Sequence, residues 1–147
     1  MWAFLVTLAL TLYMTGMIWS MQVLEYPLFA LVGRKEFPSY HAAHNRGLPL
    51  FVILPSVLAF ASAVVLFWIR PAGIPLWLVI VVVALDLAVL VSTAVWQAPL
   101  HGRLDREGFS SETITTLVRG NWVRTILWTA NALFLLGMVA LALLAVK

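Results

Sequence analysis

The sequence has no cysteine and few charged residues. The absence of Cys from the 147 residues excludes disulfides, thiolate catalysis, and zinc or iron–sulfur centres bound through cysteine. Charged residues make up 10% of the chain, whereas 63% is hydrophobic and the mean hydropathy is +1.02. A soluble domain is about 25% charged and at most about half apolar. A chain of one domain's length cannot bury so much apolar surface in its own core, so the composition predicts an integral membrane protein.

The excess of positive charge does not indicate nucleic-acid binding. The net charge is +3 and the pI is about 9.8, but the nine Lys and Arg residues are spread over several connections and form no basic face. The N-terminus is apolar from the start, without a charged leading region or a small-residue cleavage site. It is therefore expected to be a retained span and not a removed signal.

Four apolar runs are long enough to cross a bilayer core of about 30 Å, which takes about 20 residues of helix. They cover residues 2–24, 48–69, 74–98 and 121–146 of a single domain, 1–147. The connection 70–75 is short, which predicts an antiparallel hairpin, whereas the connections 25–47 and 99–120 hold nearly all the charge. The predicted fold class is all-α, an integral membrane four-helix bundle.

The basic residues predict how the bundle is oriented. The two long connections and the helix ends beside them carry Arg34, Lys35, Arg46, Arg103, Arg106, Arg119 and Arg124. Only Arg70 and Lys147 lie on the other side. By the positive-inside rule, both termini should lie outside the cell (inner or plasma) membrane and both long connections should be cytoplasmic.

Both long connections are predicted to contain short interfacial helices. In the first, Pro38 suits a first helical position and Gly47 a C-terminal stop, which gives a helix of about nine residues. In the second, Ser110 or Ser111 can cap a helix that has Glu112 in its first turn.

All three histidines fall on the predicted cytoplasmic side. His41 and His44 are one helical turn apart and share a face, His101 follows the third span, and Glu25 ends the first. The four side chains could converge at one depth, where they would suit a divalent metal, iron or zinc more than copper. The alternative is a set of ordinary polar residues at a wet interface, because the HxxH spacing also occurs on helical surfaces by chance.

Arg124 lies at the start of the fourth span, one turn after Asn121. An arginine in an apolar segment either faces the bundle or extends to the membrane surface. In the first case it would hold Glu25 or an anionic substrate oxygen, with Asn121 orienting it. In the second case it would contact lipid phosphate.

Asp86 lies near the middle of the third span, where a charged aspartate costs at least about 2.5 kcal/mol. It should therefore be neutral or partnered, and Asn131 in the fourth span lies at a similar depth. A role in helix packing is favoured over a proton relay, because no second acid is placed within a span.

Two stretches resemble the anthrone-oxygenase-like family of small four-span membrane proteins, whose bacterial members are largely uncharacterised. They are "QAPLHGRL" at 97–104 and "RGNWVRTILW" at 119–128. The family carries an Asn-x-Pro-Leu-Asn-like turn after span three, and then an Asn-Trp or Trp-Asn pair and an Arg-Thr pair that open span four. The matching positions are Pro99, Leu100, Asn121, Trp122, Arg124 and Thr125, while Gln97 and His101 replace the expected asparagines. The resemblance implies this fold and, in some members, oxygenation of polycyclic phenolic substrates.

Together these features predict a membrane-embedded, oxygenase-like oxidoreductase that takes a hydrophobic small molecule from the lipid. Either a metal bound by Glu25, His41, His44 and His101 would activate oxygen, or a histidine would act as general base without a metal. Arg124 and Asn121 would position the substrate, and Gln22, Gln97 and Tyr26 would line its cavity. Haem is not expected, because the histidines cluster at one edge. The alternative is a non-enzymatic accessory subunit or small-molecule-binding protein, as a homo-oligomer or within a larger membrane complex.

Overall fold

A computed structural model describes residues 1–144, and its regular elements are helices. Four of them are long and apolar enough to cross a membrane. They are α1 (Trp2–Phe29), α2 (Phe37–Ile69), α3 (Leu76–Glu107) and α4 (Ser111–Leu144). The four predicted spans are thus found, although residues 145 and 146 of the fourth lie outside the described residues. The described chain has the predicted all-α architecture of a membrane protein.

The four helices form an up-and-down bundle. Each helix packs against the next one in the chain, and α4 packs against α1 to complete the ring. Two buried apolar clusters fill the interior. The first includes Trp128, Tyr26, Phe29 and Leu117, and the second includes Leu66, Val79, Leu135 and Met138. Many outward-facing Leu, Val and Ile side chains are exposed, as expected of helices that lipid surrounds.

The predicted interfacial helices are present as extensions of the spans. The helical turns from Phe37 to Leu48 run on directly into the second span, so the predicted stop at Gly47 is wrong. The helix at Ser111 begins where the Ser110 hydroxyl accepts a hydrogen bond from the Thr113 amide at 3.2 Å, and it continues into the fourth span. Both helices are therefore longer than a bilayer requires. Their extra turns gather at one end of the bundle, called here the histidine end because it holds His41, His44 and His101.

Three π-helical segments explain how the helices continue past proline. They cover Met21–Glu25, Pro49–Ile53 and Thr93–Gln97. Pro27, Pro55 and Pro99 each lie two residues after one of these segments. A proline in a helix lacks an N–H and its ring clashes with the carbonyl four residues earlier, and a wider turn relieves that clash. π-Helical turns are frequent at functional sites, and these three lie at the histidine end.

Asp86 is paired with Asn131 inside the bundle, as its position predicted. The Asn131 Nδ2 atom donates to Asp86 Oδ1 at 2.7 Å, and both residues are 1% exposed. Within residues 1–144, Asp86 Oδ2 and Asn131 Oδ1 have no hydrogen-bond partner. A carboxyl group in this setting is expected to be neutral, because an isolated charge cannot be solvated there.

A double-mutant cycle tests this pairing. Asn131→Leu should destabilise the protein by about 1–3 kcal/mol, because it leaves a buried carboxyl group without a partner. Asp86→Leu should also cost about 1–3 kcal/mol, because it leaves the Asn131 amide without its partner, whereas Asp86→Leu combined with Asn131→Leu should be nearly neutral, since both polar groups are then removed. Thermal unfolding in detergent measures the differences. Equal losses in all three variants would contradict the pairing.

Candidate functional site

The structure brings the three imidazoles together at the histidine end. The ring centroids of His41 and His101 are 5.2 Å apart, and those of His44 and His101 are 5.7 Å apart. The planes of these two ring pairs differ by 15° and 14°. Two helices supply the rings, since His41 and His44 lie on α2 and His101 lies on α3. The third imidazole therefore reaches the other two only through tertiary packing.

A line of hydrogen bonds connects side chains from all four helices. Asp105 Oδ1 lies 2.7 Å from His41 Nδ1, and His41 Nε2 lies 3.0 Å from His101 Nδ1. His101 Nε2 lies 3.2 Å from the Tyr26 hydroxyl, which accepts a hydrogen bond from Arg124 Nη2 at 3.0 Å. We call these five residues the hydrogen-bonded row. Asp105 is 49% exposed, whereas Tyr26 is 1% exposed, so the row leads from the surface to the interior.

The hydrogen bonds of the row all point the same way when the imidazoles are neutral and Asp105 is ionised. The Tyr26 hydroxyl then donates to His101 Nε2, His101 Nδ1–H donates to His41 Nε2, and His41 Nδ1–H donates to the carboxylate. This assignment follows from the partners of each ring nitrogen. Asn45 Nδ2 also donates to both Asp105 oxygens, at 3.1 and 3.0 Å, and so holds the exposed end in place.

Arg124 faces the bundle interior and does not extend to the membrane surface. It is 3% exposed. Asn121 Oδ1 accepts hydrogen bonds from its Nε at 3.0 Å and from its Nη2 at 2.6 Å, and Thr93 Oγ1 accepts one from its Nη1 at 3.4 Å. Asn121 in turn donates to Gln22 Oε1 at 2.9 Å. Asn121 therefore orients the guanidinium, as its spacing predicted.

The predicted contact between Arg124 and Glu25 is wrong. Glu25 accepts a hydrogen bond from the Ser20 hydroxyl at 3.4 Å, and its Oε2 lies 3.8 Å from His44 Nδ1. The cause is helix geometry, because adjacent residues of a helix project in different directions and here Tyr26 is the one that faces Arg124. Tyr26 takes the place beside Arg124 that was expected for the carboxylate.

The four predicted metal ligands lie close together, but their donor atoms do not point at a common centre. Among residues 1–144, no group of three or more His, Asp and Glu side chains is arranged to hold a metal ion. Both ring nitrogens of His41 and of His101 take part in the row. A shared ion would require these two rings to separate. The residues as placed do not fit a metal, and the metal site stays a prediction.

A cavity of about 290 Å³ runs along the row, from Tyr26 and Arg124 at the buried end to Asp105 and Asn45 at the exposed end. Its polar wall includes Tyr26, Thr93, Gln97, His101 and Arg124. Its apolar wall includes Leu48, Pro49, Val52, Ile53 and Ala98. The side chains of Pro49, Ile53 and Ala98 are exposed, so the cavity opens between α2 and α3. It can admit a molecule from the side of the bundle.

Three polar residues of the site were missed by the sequence analysis, Asp105, Asn45 and Thr93. Asp105 and Asn45 each lie four residues after a histidine, Asp105 after His101 and Asn45 after His41. Positions four apart on a helix lie on the same face, so the spacing could have revealed both. Tyr26 and Gln97 were expected to line the cavity, and they do. The same prediction for Gln22 is wrong, because its side chain bonds to Asn121 and to the Val118 carbonyl instead. Only the structure shows that Tyr26 joins the histidines to Arg124.

No family model matches the chain, and comparisons with curated proteins and with solved structures give no match. The resemblance to the anthrone-oxygenase-like family therefore stays a prediction. The contacts described above, together with the chemistry of their side chains, carry the functional argument.

Proposed function

We propose that this protein is a membrane-embedded, oxygenase-like enzyme that removes a proton from a hydrophobic small molecule. The proposal rests on one observation. The Tyr26 hydroxyl is hydrogen-bonded to both the Arg124 guanidinium and the His101 imidazole at the wall of a cavity. Removing the proton of a weakly acidic C–H or phenol group requires a base. A fixed cation beside the base stabilises the anion that forms.

The residues of the row divide the work of this reaction. His101 accepts the substrate proton through the Tyr26 hydroxyl, which passes its own proton to His101 Nε2 as it takes the proton of the substrate. Arg124 stabilises the negative charge that develops on the enolate or phenolate oxygen. Hydrogen-bond donors that are already positioned for such an oxyanion make one of the largest contributions to catalysis. Asp105 and His41 orient His101, as the carboxylate orients the base in a catalytic triad. Asn121 positions Arg124.

The carbanion formed in this way can react with dioxygen without a metal. For a ring methylene next to an aromatic ketone, the overall change is R₂CH₂ + O₂ → R₂C=O + H₂O. The methylene carbon supplies the four electrons that reduce O₂, and one oxygen atom enters the product while the other leaves as water.

The position of the site suits a substrate dissolved in the membrane. The opening between α2 and α3 has an apolar rim, and it lies beside helices that are long enough to cross a bilayer. The distribution of basic residues supports a cytoplasmic orientation of this end in the cell membrane. We propose that the substrate enters laterally from the inner leaflet.

The test is oxygenation of 1,8-dihydroxyanthrone by the purified protein in lipid nanodiscs under ¹⁸O₂. We expect faster conversion to the anthraquinone than in empty nanodiscs, with one ¹⁸O in the new carbonyl. A rate equal to that of empty nanodiscs, for this and for related acidic methylene compounds, would leave a protein that binds small molecules without oxygenating them.

Elemental analysis of the same sample decides between the two versions of the chemistry. The hydrogen-bonded arrangement leads us to expect well below one equivalent of iron, zinc or copper. A stoichiometric metal that is lost in His101→Gln would overturn the metal-free mechanism and support the ligand set predicted from the sequence.

A further inference from the structure

Arg124 is a buried cation without a counter-anion in the described part of the chain. Its hydrogen-bond partners are Asn121, Tyr26 and Thr93, all of them neutral groups. No Asp or Glu of residues 1–144 lies within ion-pair distance of it. Buried charges are normally paired, because removing an ion from water costs several kcal/mol. The guanidinium lines the cavity at its buried end. The acidic residue in the cavity lining, Asp105, lies at the exposed end and is bonded to His41 and Asn45. A ligand at the buried end could therefore supply the missing charge.

Gln97 is a second unsatisfied group, and it lines the same cavity although its amide packs beside Gly120 of α4. It is 1% exposed, and within residues 1–144 neither its Nε2 nor its Oε1 has a hydrogen-bond partner. Gln22 provides a contrast, because it is also buried but donates to the Val118 carbonyl and accepts from Asn121. Folded proteins leave few buried amides unpaired, and each such case needs an explanation. A ligand that pairs with the amide explains Gln97.

We infer that the cavity binds an amphiphilic anion with two polar groups, an oxyanion at Arg124 and a hydroxyl or carbonyl at Gln97. Thr93 contacts Arg124 and lies one helical turn before Gln97, so the two polar groups of the ligand should be separated by roughly one turn. Val52 and Ile53 would contact its apolar body. That this ligand is the substrate rests on the proposed function. Binding of the ligand can be measured without turnover.

The probe is 5-hydroxy-1-naphthoate, a fluorescent anion with a hydroxyl on the far ring. It is titrated into protein in nanodiscs of zwitterionic lipid, with empty nanodiscs as the blank. 1-Naphthoate lacks the hydroxyl and methyl 5-hydroxy-1-naphthoate lacks the charge. The wild-type protein should bind the full probe more tightly than either comparator.

The variants assign each polar group to its partner. Arg124→Met should weaken binding of both anions about 10- to 100-fold, the range for a hydrogen bond to a charged group, and should change ester binding little. Arg124→Lys keeps the charge and should retain much of the preference for anions. Gln97→Leu should weaken binding of the hydroxylated probe about 2- to 10-fold and leave 1-naphthoate unaffected.

Thermal unfolding separates ligand binding from a structural role of Gln97. Without ligand, Gln97→Leu should keep or raise the Tm, because it removes an unpaired buried amide, whereas the matched variant Gln22→Leu should lower it by several °C. The inference would be overturned if Gln97→Leu lowered the Tm and left binding of all three probes unchanged. Equal affinity of the wild-type protein for ester and anions would overturn it as well.

The binding experiments and the ¹⁸O₂ experiment can fail independently of each other. Selective anion binding without ¹⁸O incorporation would support the binding site and remove the oxygenase. Conversion of the anthrone by a protein with no preference for anions would support the enzyme and remove the inference.

Discussion

Arg124→Met should lower the rate of 1,8-dihydroxyanthrone oxygenation by about 10²- to 10³-fold, the usual effect of losing one oxyanion donor. Methionine keeps much of the length of the arginine and adds no charge. The variant therefore removes the guanidinium that would stabilise the enolate and that also holds the Tyr26 hydroxyl. Initial rates in nanodiscs at saturating O₂ measure the effect, and kcat should fall more than KM rises.

The matched control is Arg103→Met. Arg103 is exposed and pairs with the exposed Glu107 at 2.9 Å, one turn along the same helix. This variant should keep the wild-type rate, since surface ion pairs contribute little. If Arg124→Met retained full activity while it remained folded, the guanidinium could not be the oxyanion donor and the proposed mechanism would be wrong.

Tyr26→Phe should lower the same rate by about 10²- to 10⁴-fold, the range expected for a group that takes part in proton transfer. The ring would still pack in the buried cluster, but the hydroxyl that joins His101 to Arg124 would be absent. A larger solvent isotope effect should accompany the slower rate, because proton transfer becomes more rate-limiting. A structural role alone would not change the isotope effect.

Tyr40→Phe is the control for this variant, because Tyr40 is exposed and lies beside Phe29 outside the row. It should leave both the rate and the isotope effect unchanged. His101→Gln should reproduce the loss seen in Tyr26→Phe, since His101 is the proton acceptor. Full activity in Tyr26→Phe together with complete loss in His101→Gln would show that His101 takes the proton without the hydroxyl.

The spans could be predicted from the sequence because hydropathy is a local property. About 20 apolar residues must lie between polar flanks for a helix to cross a bilayer, and this condition can be read without knowing which helices touch. The continuity of α2 with its extension was not predicted. Gly47 predicted a stop, but the helix runs through it and through Pro49, which begins a π-helical segment within the helix. Hydropathy does not report on turn width.

The candidate site could be predicted only in part, for a related reason. The spacing of His41 and His44 places both on one face of a helix, and the spacing of Asn121 and Arg124 brings these two into contact. These relations hold within a single helix. The pairing of His41 with His101 joins residues 60 positions apart, and that of Tyr26 with Arg124 joins residues 98 positions apart.

The sequence by itself determined that the chain is an all-helical membrane protein with its histidines and most of its basic residues at one end. Composition and the spacing of polar residues along each helix suffice for that conclusion. Only the tertiary structure decided that Arg124 contacts Tyr26 and not Glu25, and that the imidazoles bond to one another and to Asp105. The physical reason is that a hydrogen bond needs its two atoms within about 3 Å. In this protein the packing of four helices, with three π-helical turns, sets such distances.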